Sequence, residues 1–81
     1  MTKDQPVKLK TFNGENYPNS DCDPSENYWQ LIGKAGVVVK NKNCRGRVLV
    51  QFHDDIGKLG LHCHNEVPNS LFILPSDLQA I

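Results

Sequence analysis

The residues best equipped for chemistry lie in the second half of the chain. His62-Cys63-His64 is the densest cluster, with His53, Cys22 and Cys44 elsewhere. Imidazole and thiolate are zinc ligands, but a zinc site needs four, commonly as two closely spaced pairs. No Cys-x2-Cys or His-x3-His pair occurs. On a strand, His62 and His64 share one face and Cys63 takes the other. The cluster therefore reads as two surface histidines and one buried thiol, and no metal is expected. His53-Asp54-Asp55 sets an imidazole beside two carboxylates, the groups of acid–base catalysis. In an Asp-Asp-x-Gly stretch such carboxylates more often bond their own backbone and shape a turn. No local motif for an activated nucleophile and no glycine-rich phosphate loop is present. No catalytic residue and no cofactor is expected. Residues 19–25 place oxygen ligands at alternate positions, as a calcium loop does, but Pro24 and Gln30 stand where its glycine and glutamate belong.

Binding is better supported than catalysis. Lys34, Lys40, Lys42, Arg45 and Arg47 fall together with no acid among them, and four of them surround one predicted hairpin turn. A basic tip rich in asparagine can touch phosphates, and the same charges can simply keep a sheet edge soluble. Glu15, Asp21, Asp23 and Glu26 form the opposite case, a stretch with no base, which could fold over the basic face. Tyr17, Tyr28, Trp29, Phe52 and Phe72 can line a peptide groove, and a single tryptophan in a small domain can equally plug a core. The candidate binding residues are Lys40, Lys42, Arg45, Arg47, Trp29 and Phe72.

These residues must be positioned by short strands. Val7, Leu9 and Phe12 suggest a first one. Residues 13–27 contain no Val, Ile, Leu, Met or Phe, which predicts a long loop or arm. Val37-Val38-Val39 and the alternating run Arg47 to His53 predict a hairpin closed by the polar turn between them. Leu61 to His64 and Ser70 to Leu74 predict two further strands. Pro75-Ser76-Asp77-Leu78 predicts a single helical turn, and Gln79 to Ile81 a last strand. The core is expected to hold Val37, Val39, Val48, Val50, Phe52, Leu61, Ile73 and Leu78.

The whole chain has 81 residues, of which 38% are hydrophobic and 22% charged, with nine bases against nine acids. That balance suits one folded domain, and zero net charge excludes a global field toward nucleic acid or membrane. No run of about 18 apolar residues is present, and the polar first ten residues lack the apolar centre of a signal peptide. Three cysteines do not make an even disulfide set, so reduced thiols and a cytoplasmic location are expected, with no membrane partner.

Strands this short and closely spaced describe an all-β small barrel of about five strands with one single-turn helix near the C-terminus. Leu31-Ile32-Gly33-Lys34-Ala35-Gly36-Val37-Val38 resembles the opening of SH3-like and KOW-type barrels. Ser70 to Leu78 is similar to the penultimate strand and helical turn that end many of them. The resemblance covers residues 28–81, which sets residues 1–27 apart as an N-terminal segment and polar loop. The tail is also similar to that of the small plasmid-borne dihydrofolate reductases that resist trimethoprim, at Ser70, Ile73, Pro75, Leu78 and Ile81. Phe72 and Leu74 stand where that family carries a glutamine and a tyrosine that serve ligand binding. The resemblance thus implies the fold and not the reaction.

The function expected is a non-enzymatic binding or assembly module. The alternatives are a small oligomeric reductase-like enzyme and a barrel that binds nucleic acid through its basic hairpin. Val48-Leu49-Val50 and Leu71 to Leu74 are apolar on both faces, which predicts an outward apolar patch. The N-terminal segment with Val7, Leu9 and Phe12 or a second copy could cover it, and three large apolar residues are few for the task, so a second copy is expected. The partners expected are therefore a homo-oligomer and a protein or peptide.

Overall fold

The computed structural model describes residues 2–41, 43, 45–63 and 65–81. Five strands form where β-rich runs are bounded by Gly, Pro and Asn: β1 (Pro6–Leu9), β2 (Ala35–Lys40), β3 (Val48–Phe52), β4 (Ser70–Ile73) and β5 (Leu78–Ala80). They make one antiparallel sheet in the order β4-β3-β2-β1-β5. The chain is all-β, as expected, and a single 3-10 turn (Pro75–Asp77) precedes the last strand. Three more such turns, at Pro24–Glu26, Tyr28–Leu31 and Ile56–Leu59, lie in the connections.

The edge strands β4 and β5 are joined by residues 74–77 alone. With a 3-10 turn in it, that link spans roughly 10–15 Å. The edges of a flat five-stranded sheet stand about 19 Å apart. The sheet is therefore curled, and both edges serve one core: Ile73 and Leu78 join Val7, Leu9, Val38, Val48, Val50 and Phe52 in the same buried cluster. Residues 1–27, distinguished by composition from residues 28–81, supply β1, which lies between β2 and β5. Val7 and Leu9 are fully buried there.

Two expectations need correction. Val37 and Val39 are half-buried, and Val38 is the residue of β2 that enters the core. The cross-strand pairs Gly36–Phe52 and Val38–Val50 set that phase. Three consecutive valines carry no phase of their own, and Gly36 is the even-numbered partner that cannot show its side as apolar. A side chain at Gly36 would collide with the Gln51 carbonyl oxygen. Leu61 to His64 is not a strand: residues 61–63 have no ladder, and His64 lies outside the described residues. Gly60 takes a left-handed conformation (φ 79°) that ends the Ile56–Leu59 turn and drops Leu61 into the core. Val48, Val50, Phe52, Leu61, Ile73 and Leu78 are buried as expected.

The outer face is also less bare than its two-sided apolar runs suggest. Leu49 is only 2% exposed within a single copy. Phe72, its cross-strand partner, and Leu74 are half-buried. Among the described residues, no helix is long and apolar enough to cross a membrane.

Candidate functional site

The connection between β1 and β2, residues 10–34, is the longest in the fold and builds a cleft. Its first turn is held from below by Asp77. The carboxylate accepts from the Thr11 hydroxyl at 2.6 Å and from the amides of Asn13 at 3.0 Å and Gly14 at 2.9 Å. Asn13 and Gly14 both take positive φ, 53° and 77°, which turns their two amides toward one anion. Phe12, between the anchored residues, points into the core cluster and is paired across its own turn with Glu15.

Further along, Pro24 starts a 3-10 turn that Asp23 caps, with Oδ1 accepting from the Ser25 amide at 2.8 Å and the Ser25 hydroxyl at 2.6 Å. The Ser25 hydroxyl, then the Ser25 amide, hold the Asp23 carboxyl below the usual carboxylate range, with a small further contribution from His62. The next turn, Tyr28–Leu31, buries Tyr28 and Leu31. The Tyr28 hydroxyl donates to the His62 carbonyl at 2.6 Å, and the His62 amide donates to the Ser25 carbonyl at 2.8 Å. Those two bonds clamp the 61–63 segment to the underside of the long connection. Burial, with Glu26 and Cys63 adding, pushes the Tyr28 hydroxyl above its ordinary range.

Between these anchored turns opens a cleft of about 750 Å3. One wall is aromatic: Phe12 meets Trp29 edge-on at 4.9 Å between ring centres and 79°, and Tyr28 at 5.6 Å and 53°. The remaining lining is mostly polar and includes Asp21, Asp23 and Glu26. The Trp29 Nε1–H is buried and meets no acceptor among the described residues. Such an arrangement can hold a cation on its carboxylates and pack the apolar stem behind that cation on its rings.

The structure does not gather the expected binding residues at a single point. Trp29 lines the cleft. Lys40 and Arg45 are exposed in and beside the β2–β3 loop. Arg47 is half-buried, its guanidinium donating to the Phe72 carbonyl at 3.2 Å and to Asn13 Oδ1 at 2.8 Å. Phe72 sits on β4 and does not itself line the cleft, but its carbonyl shares the Arg47 guanidinium with Asn13, which does. Lys42 lies outside the described residues, as does Cys44. Of the other aromatics, Phe52 is core at 3% exposure and Tyr17 is open at 81%.

Asp55 caps the Ile56–Leu59 turn, accepting from the Gly57 amide at 3.0 Å, and His53 and Asp54 are exposed beside it. Cys63 is half-buried against the core, its thiol facing the carbonyl oxygens of Val67 and Ser70 at 3.5 Å. Among the described residues no three of His, Cys, Asp and Glu gather closely enough to hold a metal ion.

In the sequence the acids fall in a loop or arm, and nothing there marks Phe12 or Asp77 as site residues. The usable signal was proximity: Glu26 precedes the Tyr28-Trp29 pair by two residues, so the acids and the aromatics share one short stretch. No protein family, curated protein or solved structure matches this chain.

Proposed function

We propose that the chain is a non-enzymatic binding module on a small SH3-like barrel, with the cleft of the β1–β2 connection as its site. One observation carries this reading: Phe12, Tyr28 and Trp29 converge with Asp21, Asp23 and Glu26 on one cleft of about 750 Å3. That volume falls in the range of ligand sites, which are apolar pockets with a few fixed polar groups. The ligand class that suits it is a peptide segment carrying a lysine or arginine. The polar rim supplies Coulomb attraction and the rings supply packing under the side chain's aliphatic stem.

Trp29 is the only tryptophan in the chain, so its emission reports on the cleft wall directly. Titration with a short lysine- and arginine-bearing peptide should change that emission along a saturating curve. The double substitution Asp21→Asn, Glu26→Gln should weaken the binding about tenfold, the size expected for two exposed charges. Emission that stays flat up to millimolar peptide would refute the reading.

A further inference from the structure

The chain separates its own charges. Residues 15–26 carry Glu15, Asp21, Asp23 and Glu26 and no base, and residues 34–47 carry five bases and no acid, in a chain of zero net charge. The first stretch lines the cleft with Asp21, Asp23 and Glu26, and the described residues of the second supply β2 and the approach to β3. The two surfaces are neighbours. Arg47, at the root of the β2–β3 hairpin, donates from Nη2 to Asn13 Oδ1 at 2.8 Å, and Asn13 lines the cleft. Arg47 is thereby committed within its own chain, whereas Lys40 and Arg45 stay exposed.

We propose that a second copy of this chain occupies the cleft: Lys40 and Arg45 of each copy engage the acidic and aromatic residues of the other's cleft, in a reciprocal two-fold dimer. The proposal rests on the cleft being a binding site, as argued above, and names its occupant. Charge complementarity selects that occupant, because the hairpin carries the lysine and arginine that the cleft suits. Adjacency selects the symmetry. A patch holding an acidic socket beside a basic tip becomes self-complementary when rotated by half a turn, so both contacts form at once and the assembly closes. The stems of Lys40 and Arg45 would lie along Phe12 and Trp29 with their charged ends among Asp21, Asp23 and Glu26.

The test is the solution mass of the full chain by sedimentation, with charge-exchange variants. The unmutated protein should be a dimer at low salt, and association should weaken at least tenfold when salt rises from about 0.05 M to about 0.5 M. Lys40→Glu with Arg45→Glu should be a monomer, because socket and tip are then both acidic. Asp21→Lys with Glu26→Lys should be a monomer for the converse reason. Asp23 is left intact because it caps a turn. Mixed in equal amounts, the two variants should form a heterodimer, with both contacts restored at once. Should an exchange variant fail to melt cooperatively, Lys40→Gln with Arg45→Gln replaces it and should weaken the dimer at least tenfold.

A monomer at millimolar concentration in low salt overturns the proposal, and so do exchange variants that dimerise as the parent does. If that monomer's Trp29 emission still responds to a basic peptide, the cleft reading stands and its occupant is foreign. If the emission is silent as well, both fall.

Discussion

The carboxylate of Asp77 is 1% exposed, and all three of its described donors come from the first turn of the β1–β2 connection, more than sixty residues earlier in the chain. Removing it strands two amides and a hydroxyl. Asp77→Ala should therefore cost about 3 kcal/mol, since each buried unpaired polar group costs roughly 1–3 kcal/mol and part of the site can take up water. For a domain of this size the melting temperature should fall on the order of 15 °C. Asp77→Asn keeps one acceptor and should lose less. The same variants should shift Trp29 emission, because Phe12 sits between the released residues and packs on the indole. An unchanged melting temperature in Asp77→Ala would show that the loop is held by other means. Sequence alone gives Asp77 only a local place, in the helical turn Pro75-Ser76-Asp77-Leu78. Its actual partners are remote, and no local pattern encodes a contact across that separation. Gly36 is similarly silent in the sequence: its need for a bare Cα comes from the Gln51 carbonyl on the neighbouring strand.

At the scale of elements, β2 shows where periodicity runs out. On β3 the polar residues Arg47, Gln51 and His53 all fall on the phase opposite Val48, Val50 and Phe52, so the inward burial of those three is legible in the sequence, although Leu49 breaks the alternation. The three valines of β2 alternate with nothing, and only the pairing of Val38 with Val50 decides which one faces inward. Val38→Ala should cost about 1–3 kcal/mol in urea unfolding, through lost burial and the cavity left behind. Val37→Ala and Val39→Ala, at half-buried sites, should each cost clearly less. Equal losses at all three would overturn the phase. The 13–27 part of the long connection is legible as a loop, because it holds no Val, Ile, Leu, Met or Phe, but its internal turns are not. Those turns depend on a few local hydrogen bonds, such as the two from Ser25 to Asp23. Ser25→Ala removes the hydroxyl donor that most lowers the Asp23 pKa, so that pKa should rise toward the ordinary aspartate value. The sign is that of a depressed carboxyl: the cap is fully formed above about pH 4 and is lost as pH falls through the folded-state pKa. Carboxyl-carbon shifts followed through an acid titration would show whether the midpoint moves upward as expected.

At the scale of the molecule, the four-residue link between β4 and β5 forces the sheet to curl, and β1 is the strand that joins β5 to the rest of it. β1 pairs with β2 on one side and β5 on the other, with registers Val7–Gly36 and Val7–Ala80. A composition-based division at residue 27 would leave residues 28–81 with four of the five strands. Such a fragment keeps β2, β3 and β4, but β5 then has no partner, and the cavity left by Val7 and Leu9 opens the core. Each of those side chains is 0% exposed, so each contributes roughly 1.5–3 kcal/mol by burial alone. The loss of Phe12 from its packing against Tyr28 and Trp29 adds to this. Small domains have only about 5–15 kcal/mol of net stability, and at this length the lower end applies. Residues 28–81 expressed alone should therefore be unfolded, with amide proton shifts collapsed into the random-coil range. The full chain should show dispersed shifts and one cooperative melt. A separate peptide covering residues 2–16, added in excess, should restore dispersion in part by refilling the slot between β2 and β5. A dispersed spectrum and a cooperative melt from residues 28–81 alone would mean that β1 is an accessory to the barrel, and the cleft it leads into would then be a feature laid on an independently stable core.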